Sequence, residues 1–216
     1  MTLLPPPAEI RGCRIYHLRQ TSSTQTWARR LAEDGEPAWT LIRADRQSRG
    51  RGRMDRRWSS GPGGLYFSLI LRPKMEPSEL PGLSLALGEA CAGALGKLAG
   101  IDTAVKPPND VLGRPKHPDS VGLGRPEAAP FGCSGRTGTL DFRKICGILI
   151  EASGDSKTVH WLAAGIGVNV NNRLPKTLAE ASSLAELTGR RFDLSDVFDA
   201  VLEGLRQTLD AAARSS

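Results

Sequence analysis

The sequence predicts a domain that combines α-helices with β-strands. Short apolar runs rich in β-branched and aromatic residues, bounded by glycine, proline or polar residues, indicate strands. Other segments repeat apolar residues at helical spacing, and both kinds of segment recur along the chain. With 216 residues, of which 39% are hydrophobic, the chain is long enough to bury a sizeable core.

The N-terminal third is predicted to begin with an irregular segment that is followed by a helix. Three consecutive prolines mark residues 1–12 as a flexible lead, which lacks the basic start and apolar core of a secretory signal. A helix is predicted over 24–33, with Ser22 or Ser23 as its N-cap.

The segments predicted as strands along the whole chain are 14–18, 40–44, 64–73, 102–106, 144–152 and 158–170.

Two further helices are expected. Ser78 is predicted to cap the first of them. Its apolar positions are Leu83, Leu87, Cys91, Leu95 and Leu98. The second helix covers 195–212 and is amphipathic. Its apolar face holds Phe198, Val201, Leu205 and Leu209.

Residues 113–142 are rich in glycine and proline and show neither helical nor strand periodicity. Structureless stretches longer than about 15 residues are uncommon inside compact domains. We therefore expect a disordered surface insertion within one domain that covers 13–214.

Positive charge is concentrated in one short segment of a chain whose net charge is +6. Its arginines are Arg43, Arg46, Arg49, Arg51, Arg53, Arg56 and Arg57. Within the predicted loop 46–63, Gly50 and Gly52 let the backbone approach a ligand, and guanidinium groups bind carboxylate or phosphate oxygens. Taken alone, the pattern also fits a solvated basic loop or an arginine–glycine segment that binds RNA.

A second motif follows the predicted strand 102–106. Pro107 and Pro108 stiffen a turn and fix where Lys106, Asn109 and Asp110 point. A carboxylate close to a lysine and a phosphate site is suited to holding Mg²⁺. Taken alone, the motif is an ordinary turn.

The third motif is a lysine in an apolar strand. Strict alternation places Lys144, Cys146, Ile148 and Ile150 on one face, and Ile145, Gly147 and Leu149 on the other. A lysine on an apolar face needs an anionic partner unless it reaches water at the strand end. Gly147 leaves room for a close approach.

The fourth motif lies in the last predicted strand. Gly165 and Gly167, separated by one residue, again favour the close approach of another group. The amide of Asn169 can both donate to and accept from an adenine edge. The motif lacks the strand–turn–helix setting of a dinucleotide-binding fingerprint.

In this order the motifs resemble the catalytic domain of the biotin protein ligases. The matching pieces are Ser23-Thr24-Gln25, the G-R-G-R-x-x-R-x-W loop at 50–58, the K-x-P-N-D turn at 106–110, the K-x-x-G-I-L-x-E strand at 144–151 and the G-I-G-x-N-V strand at 165–170. Each motif is weak alone, but the ordered set is specific. Over about 14–172, the resemblance implies an α+β fold, in which helices pack mainly on one face of a mixed β-sheet, as in class II synthetases.

The resemblance also implies site residues. Those for biotin are Ser23, Thr24, Gln25, Gln47, Arg51, Gly52, Arg53 and Lys144. Those for ATP are Trp58, which would cover the adenine, Lys106, Asn109, Asp110 and Asn169. Lys144, Arg51 and Arg53 are the implied catalytic residues, and Asp110 is the implied Mg²⁺ ligand.

The implied reaction has two steps. The biotin carboxylate attacks the α-phosphorus of ATP, giving biotinyl-5′-AMP and pyrophosphate, and a lysine of a biotin carboxyl carrier protein then takes the biotinyl group. Positive charge offsets the repulsion between two anions and stabilises the in-line transition state. ATP and Mg²⁺ are required, and no tightly bound prosthetic group is expected.

The chain departs from the family pattern at three places. Gln25 stands where the family often has Asn, Pro107 replaces Trp, and 113–142 replaces a short turn. About 20 residues before Ser22 are too few for a winged-helix domain, so we expect neither that domain nor DNA binding. Since no residues follow the last predicted helix to form it, we also expect no C-terminal β-barrel domain. Four cysteines without paired spacing indicate a cytoplasmic protein, and no apolar run predicts a membrane span. Monomer and homodimer both remain open.

Two other functions compete with the ligase. A lipoate or octanoate transferase shares the implied fold, but a fatty acyl chain has no ureido ring for Gln47 to bind. A nucleic-acid-binding module predicts aromatic residues among the arginines, where only Trp58 is available. His17, His117 and His160 lack the spacing of metal ligands.

Overall fold

The computed structural model describes residues 4–116 and 142–214, whose strands form one eight-stranded sheet. The order is β1-β2-β3-β4-β8-β7-β6-β5, in which β2 and β3 are parallel and the other neighbours antiparallel. The predicted mixed sheet is confirmed. Its strands are β1 Ala8–Ile10, β2 Cys13–Leu18, β3 Thr40–Ala44, β4 Leu65–Leu71, β5 Ile101–Lys106, β6 Asp110–Pro115, β7 Arg143–Gly154 and β8 Val159–Val168.

Helices cover both faces of the sheet unequally. α1 (Thr24–Glu33) connects the parallel strands β2 and β3 and packs on one face. The other face carries α2 (Leu80–Ala99), the short α3 (Leu184–Thr188) and α4 (Leu194–Arg214). The larger core lies under these three helices, as predicted for helices mainly on one face. No helix within the described residues is both long and apolar enough to cross a bilayer.

Alternation along the central strands divides the side chains between the two faces. Leu65, Phe67 and Leu69 of β4 point into the larger core, where the ring of Phe67 meets that of Phe198 edge-on at 5.3 Å. Ile70 belongs to the smaller core beneath α1. Every residue of β4 is buried, because helices cover this strand on both sides.

Near the N-terminal ends of elements, two local predictions need correction and a third, the N-cap at Ser23, is confirmed in position. Residues 8–10 are not part of a flexible lead, since they form β1 and pair with β2. Ser23 holds the N-cap position of α1 but makes no capping hydrogen bond. Ser78 is not the cap of α2: it lies in the 3₁₀ turn Pro77–Glu79 before that helix, where Glu76 and Glu79 form a reciprocal capping box.

The predicted insertion begins too early. Residues 113–115 belong to β6, which pairs with both β5 and β7. The sequence hides this strand because a glycine and a proline interrupt its apolar pattern. The rest of the predicted insertion, from 117 to 141, lies outside the described residues.

The predicted alternation along β7 is also wrong. Val111 of β6 faces Cys146, whereas the next residue, Leu112, faces Lys144, so Ile145 is an extra residue in β7. This β-bulge sends Ile145 and Cys146 to the same core. As a result Lys144 lies on the face of Gly147, not on the face of Cys146 and Ile148.

Candidate active site

A cavity of about 140 Å³ opens on the α1 face of the sheet. Its floor follows strand register: Asp110 pairs with Gly147, which pairs with Gly167, so β6, β7 and β8 expose almost no side chain there. The cavity brings together most of the predicted site residues. Those that line it are Ser23, Thr24, Gln25, Gln47, Arg51, Gly52, Arg53, Trp58, Asn109, Asp110 and Lys144.

One end of the cavity is a buried polar network. Gln47 Oε1 accepts hydrogen bonds from the backbone N (2.8 Å) and the hydroxyl (3.1 Å) of Thr24. Gln47 Nε2 donates to Ser60 Oγ at 2.8 Å. The Thr24 hydroxyl also lies 2.9 Å from that of Ser68 on β4. These bonds orient the carboxamide of Gln47, so that end of the cavity presents fixed donors and acceptors.

Gln25 supports this network through its own carboxamide. Its Oε1 accepts a hydrogen bond from Ser68 Oγ at 2.9 Å, and its Nε2 donates to the carbonyl of Ala163 at 2.9 Å. The carboxamide lies where a side chain on Gly165 would clash, since a Cβ there would be 2.6 Å from Gln25 Oε1. Because its atoms bond to the sheet, Gln25 forms part of the cavity wall and ties α1 to β4 and β8.

Ser23 lies beside the polar network, but its hydroxyl makes no hydrogen bond within the described residues. The residue is 2% exposed, and its Oγ is buried without a hydrogen-bond partner among the described residues. A buried hydroxyl without a partner costs roughly 1–3 kcal/mol. Since Ser23 lines the cavity, a bound molecule with a polar group would satisfy it.

Trp58 lies across the glycines of the floor. A Cβ on Gly167 would be 2.5 Å from the indole, and one on Gly147 would be 2.8 Å from it. The indole therefore packs directly on the backbones of β7 and β8. Its Nε1 is buried and has no hydrogen-bond partner within the described residues. The cavity is smaller than the roughly 300–1,000 Å³ usual for small-molecule sites, since the indole fills part of the cleft.

Lys144 carries positive charge to the other end of the cavity. Its Nζ lies 2.6 Å from Asp110 Oδ1 and 5.2 Å from the centre of the Trp58 ring. Asp110 Oδ1 is buried and makes no hydrogen bond with described residues, so the ammonium is what offsets its charge. The β-bulge at Ile145 is what allows this lysine to face the cavity.

The arginine-rich segment folds as a hairpin over the cavity. Arg51 pairs with Arg57 through an antiparallel backbone bridge, and Trp58 N donates to the carbonyl of Gly50 at 2.9 Å. The hairpin turns at Met54 and Asp55, whose φ angles of 51° and 57° are unusual for residues other than glycine. Two consecutive residues in this region cost free energy, so contacts elsewhere must hold the turn.

Contacts on both sides of the cavity hold the hairpin. Arg51 forms an ion pair with Glu151 of β7, with Nη2 2.8 Å from Oε1. Arg53 Nη1 donates to Asn109 Oδ1 at 3.5 Å, while Asn109 Nδ2 donates to the carbonyl of Ile148 at 3.0 Å. The guanidinium groups are thus placed at the cavity rim, where they can bind an anion.

Two predicted site residues lie away from the cavity lining. Lys106 is exposed at the end of β5, paired in register with Asp110. Asn169 is 2% exposed, and its Oδ1 accepts a hydrogen bond from Asn172 Nδ2 at 3.1 Å. Both residues belong to motifs that lie near the site, but the sequence of a motif does not show which way each of its side chains points.

Other residues of the site were not predicted from the sequence. Ser68, Phe67 and Arg56 line the cavity, and Glu151 pairs with Arg51 at its rim. Ser68 is the one polar residue inside the apolar run of β4, which is a signal that could have identified it. Glu151 contacts Arg51, which lies 100 positions earlier in the sequence, so the role of Glu151 is visible only in the folded protein.

A pair of thiols lies beneath the site. Cys146 of β7 and Cys91 of α2 are both fully buried, and a hydrogen bond between them raises the pKa of Cys146 well above its ordinary value of 9.0. Burial raises the pKa of Cys146 further. Cys146 is therefore a neutral, packed thiol and not a nucleophile of the site.

Comparison with known proteins relates the whole described site to one family. Residues 17–169 match the Biotin/lipoate A/B protein ligase family. The chain is 33% identical over 199 residues to the Bifunctional ligase/repressor BirA of Bacillus subtilis (strain 168), which covers 90% of the chain and 53% of that protein. It is also 33% identical over 156 residues to the Biotin--[acetyl-CoA-carboxylase] ligase of Paracoccus denitrificans, covering 71% of the chain and 53% of that protein.

Solved structures agree with these relatives. The biotin protein ligase from Aquifex aeolicus, in complex with biotin and ATP, superposes with a TM-score of 0.67 and 32% identity, covering 91% of the chain and 70% of that protein. The chain spans about half the length of the curated relatives it matches. On its sequence and its fold, the chain belongs to the biotin/lipoate A/B protein ligase family.

Proposed function

We propose that the chain is an ATP-dependent biotin protein ligase. It joins biotin to AMP with release of pyrophosphate, and it then transfers the biotinyl group to a lysine of a biotin carboxyl carrier protein. The observation that carries the proposal is the single cavity in which the polar network of Thr24, Gln47 and Ser68 lies opposite the cation Lys144.

The polar end of the cavity favours biotin over a fatty acyl substrate. A ureido ring carries one carbonyl acceptor and two N–H donors, which match a free serine hydroxyl at Ser23 and the oriented groups of Thr24 and Gln47. A lipoyl or octanoyl chain would leave the buried hydroxyl of Ser23 unpaired, at a cost of roughly 1–3 kcal/mol. The same network therefore argues against the lipoate or octanoate transferase.

The charged end of the cavity suits two anionic substrates. Lys144 lies at this end, and Arg51 and Arg53 also line the cavity, so a carboxylate and an α-phosphate can approach each other with their repulsion offset. The biotin carboxylate oxygen attacks the α-phosphorus, the bond to the β-phosphate oxygen breaks and pyrophosphate leaves. These cations stabilise the charge that spreads over the phosphoryl oxygens during this step.

The residues of the site also fit a magnesium ion. Asp110 Oδ1 forms an ion pair with Lys144 but makes no hydrogen bond within the described residues, and Mg²⁺ binds through one or two carboxylates together with substrate phosphates. No group of three acidic, histidine or cysteine side chains in the described residues could hold a metal alone. In the proposal Asp110 would hold Mg²⁺ jointly with ATP, and the ion would supply further positive charge to the phosphates.

The second step uses the same cavity. The arginine hairpin and Trp58 cover the floor and keep water from the mixed anhydride. The neutral amine of the acceptor lysine attacks the biotinyl carbonyl carbon and the bond to the AMP oxygen breaks. AMP leaves with the electron pair of that bond, and the amine nitrogen loses one proton to solvent, which gives the amide. The proposed acceptor is the carrier domain of a carboxylase in the cytoplasm, where Cys13, Cys91 and Cys146 would stay reduced.

An exchange assay tests the adenylation step and the choice of substrate. Purified protein is incubated with MgATP, labelled pyrophosphate and either biotin or lipoate. The proposal predicts that label enters ATP with biotin and only at background level with lipoate. Exchange with lipoate but not with biotin would replace the proposal with the transferase alternative. Salt-sensitive RNA binding without exchange would favour the nucleic-acid-binding alternative.

A further inference from the structure

We infer that Glu151 is a positioning residue that anchors the arginine hairpin (residues 50–58) through Arg51. The inference deepens the proposed function and rests on it for its catalytic consequence. Its structural part, the anchoring of the hairpin, can be tested without any substrate.

The contact between Arg51 and Glu151 uses both carboxylate oxygens. Arg51 Nη2 lies 2.8 Å from Oε1, and Arg51 Nη1 donates to Oε2 at 3.2 Å. Such bidentate pairs fix the relative orientation of the two groups as well as their distance. The contact therefore holds the guanidinium in one orientation at the rim of the cavity, which Arg51 lines.

Repulsion among its arginines makes the hairpin depend on the ion pair between Arg51 and Glu151. The hairpin carries Arg51, Arg53, Arg56 and Arg57, which repel one another. Among the residues that the structure describes, Glu151 is the only carboxylate within 4.0 Å of a guanidinium nitrogen of these four. The strained turn at its tip also disfavours this conformation, so the hairpin depends on its contacts with the sheet.

Glu151 acts from outside the substrate cavity. It lies on β7 two positions beyond Leu149, at the end of the face that carries Gly147, and it does not line the cavity. Its Oε1 is also 3.9 Å from Arg29 Nη1 of α1. Because its side chain is only 21% exposed, the carboxylate is held in a partly desolvated position between α1 and the hairpin. Glu151 thus influences substrates through Arg51 and not by contact.

Three variants separate the anchor from general effects of charge. Glu151→Gln keeps the shape but removes the charge, and Glu151→Asp keeps the charge on a shorter stem. Glu33→Gln is the matched control, because Glu33 pairs with the same Arg29 at 3.8 Å but does not contact the hairpin. Thermal unfolding of each variant establishes that the domain stays folded.

The first measurement is trypsin cleavage after the hairpin arginines, in protein without added substrates. We expect cleavage to be roughly 2–5-fold faster in Glu151→Gln than in wild type, because that variant loses one partly exposed ion pair. The cleavage rate of Glu151→Asp should lie between these two. Glu33→Gln should match wild type. If Glu151→Gln and Glu33→Gln are cleaved at the wild-type rate, the anchor does not exist and the inference is wrong.

The second measurement is the KM for biotin in the exchange assay. Loosening the hairpin should raise the KM of Glu151→Gln by roughly 2–5-fold, with kcat nearly unchanged, because the bound complex must then order the hairpin. An unchanged KM beside faster cleavage would overturn the catalytic part of the inference. If wild type shows no exchange at all, the proposed function fails, whereas the cleavage result still decides whether Glu151 anchors the hairpin.

Discussion

Lys144 and Gly147 lie on the same face of β7, and Cε of the lysine is 3.4 Å from where a Cβ on Gly147 would stand. Three positions apart in a regular strand, they would point to opposite faces. The extra residue at Ile145 reverses this relation. The bulge therefore places an ammonium beside a floor that has no side chains, which is where the proposed reaction brings two anions together.

Replacing Lys144 with alanine should nearly abolish formation of biotinyl-AMP. The change removes the cation that faces the developing charge, and the loss of one such group costs roughly 10²–10³ in rate. It also leaves the buried Oδ1 of Asp110 without its charge partner. The biotin-dependent exchange of pyrophosphate into ATP measures the effect.

The control for this prediction is Arg143→Ala, one position along the same strand. Arg143 is exposed, and its guanidinium donates to the carbonyl of Ala179, away from the cavity. Exchange by Arg143→Ala should stay near that of wild type. A near-wild-type rate in Lys144→Ala would remove Lys144 from the mechanism.

Replacing Ser23 with alanine should change stability and binding in opposite directions. The mutation removes a buried hydroxyl that has no partner, so we expect the free energy of unfolding to rise by about 1 kcal/mol. Biotin should bind roughly 5–10-fold more weakly, because one hydrogen bond to the ureido ring is lost. Urea unfolding and calorimetric titration with biotin measure the two effects.

Ser183 supplies a matched control for Ser23. It also occupies a helix N-cap, but its hydroxyl accepts a hydrogen bond from the backbone N of Glu186. Ser183→Ala should therefore destabilise the protein by about 1 kcal/mol and leave the affinity for biotin unchanged. If Ser23→Ala loses stability as Ser183→Ala does, the Ser23 hydroxyl has a hydrogen-bond partner in the free protein and our interpretation of it is wrong.

Replacing Gly167 with alanine should displace Trp58. The new Cβ would stand 2.5 Å from the indole, so the ring must move off the floor. Overpacking of this kind costs roughly 1–3 kcal/mol, and we expect the KM for ATP to rise by about tenfold or more, because Trp58 is expected to cover the adenine. A change in tryptophan emission, absent when Trp58→Phe is the background, reports the displacement.

Gly93 in α2 is the control glycine for this experiment. No atom lies within 4 Å of a Cβ built there, so Gly93→Ala should keep activity and stabilise the helix by about 0.5–1 kcal/mol. Unchanged emission and an unchanged KM in Gly167→Ala would contradict the close packing of Trp58 on the floor.

Stability should fall under alkaline conditions in a way that depends on Cys146. The pKa of this thiol is raised in the folded protein, first by its hydrogen bond with Cys91 and then by burial. The unfolded thiol ionises at its ordinary value of 9.0, so its contribution to stability is complete below that pH and is lost as the pH rises above it. Urea unfolding at about pH 8 and about pH 10 measures the fall, which should be smaller in Cys146→Ala. Equal falls in both proteins would refute this assignment.

The sequence predicts most helices and strands because their apolar periodicity is strong. The central strand β4 and the helices α1 and α4 lie close to their predicted bounds, and α2 contains all the apolar positions predicted for it. The strand β1 escapes detection, since its three residues are exposed and follow prolines. Strand order and the parallel pairing of β2 with β3 depend on contacts between distant segments, which periodicity does not encode.

The composition of the site follows from its motifs, but its geometry does not. Motif order places Lys144, Trp58 and Gln47 near one site, and the structure brings them to one cavity. The direction of Lys144 depends on a bulge that strict alternation cannot reveal. Glu151 gains its contact with Arg51 only through folding.

The most direct test of the account is the mass of an acceptor protein. The full chain is mixed with biotin, MgATP and a biotin carboxyl carrier domain, and intact-mass spectrometry follows the acceptor. The account predicts the addition of one biotinyl group to one lysine, only when biotin and MgATP are both present and not with Lys144→Ala. An acceptor whose mass stays unchanged, although an authentic biotin ligase modifies it in parallel, would contradict the account.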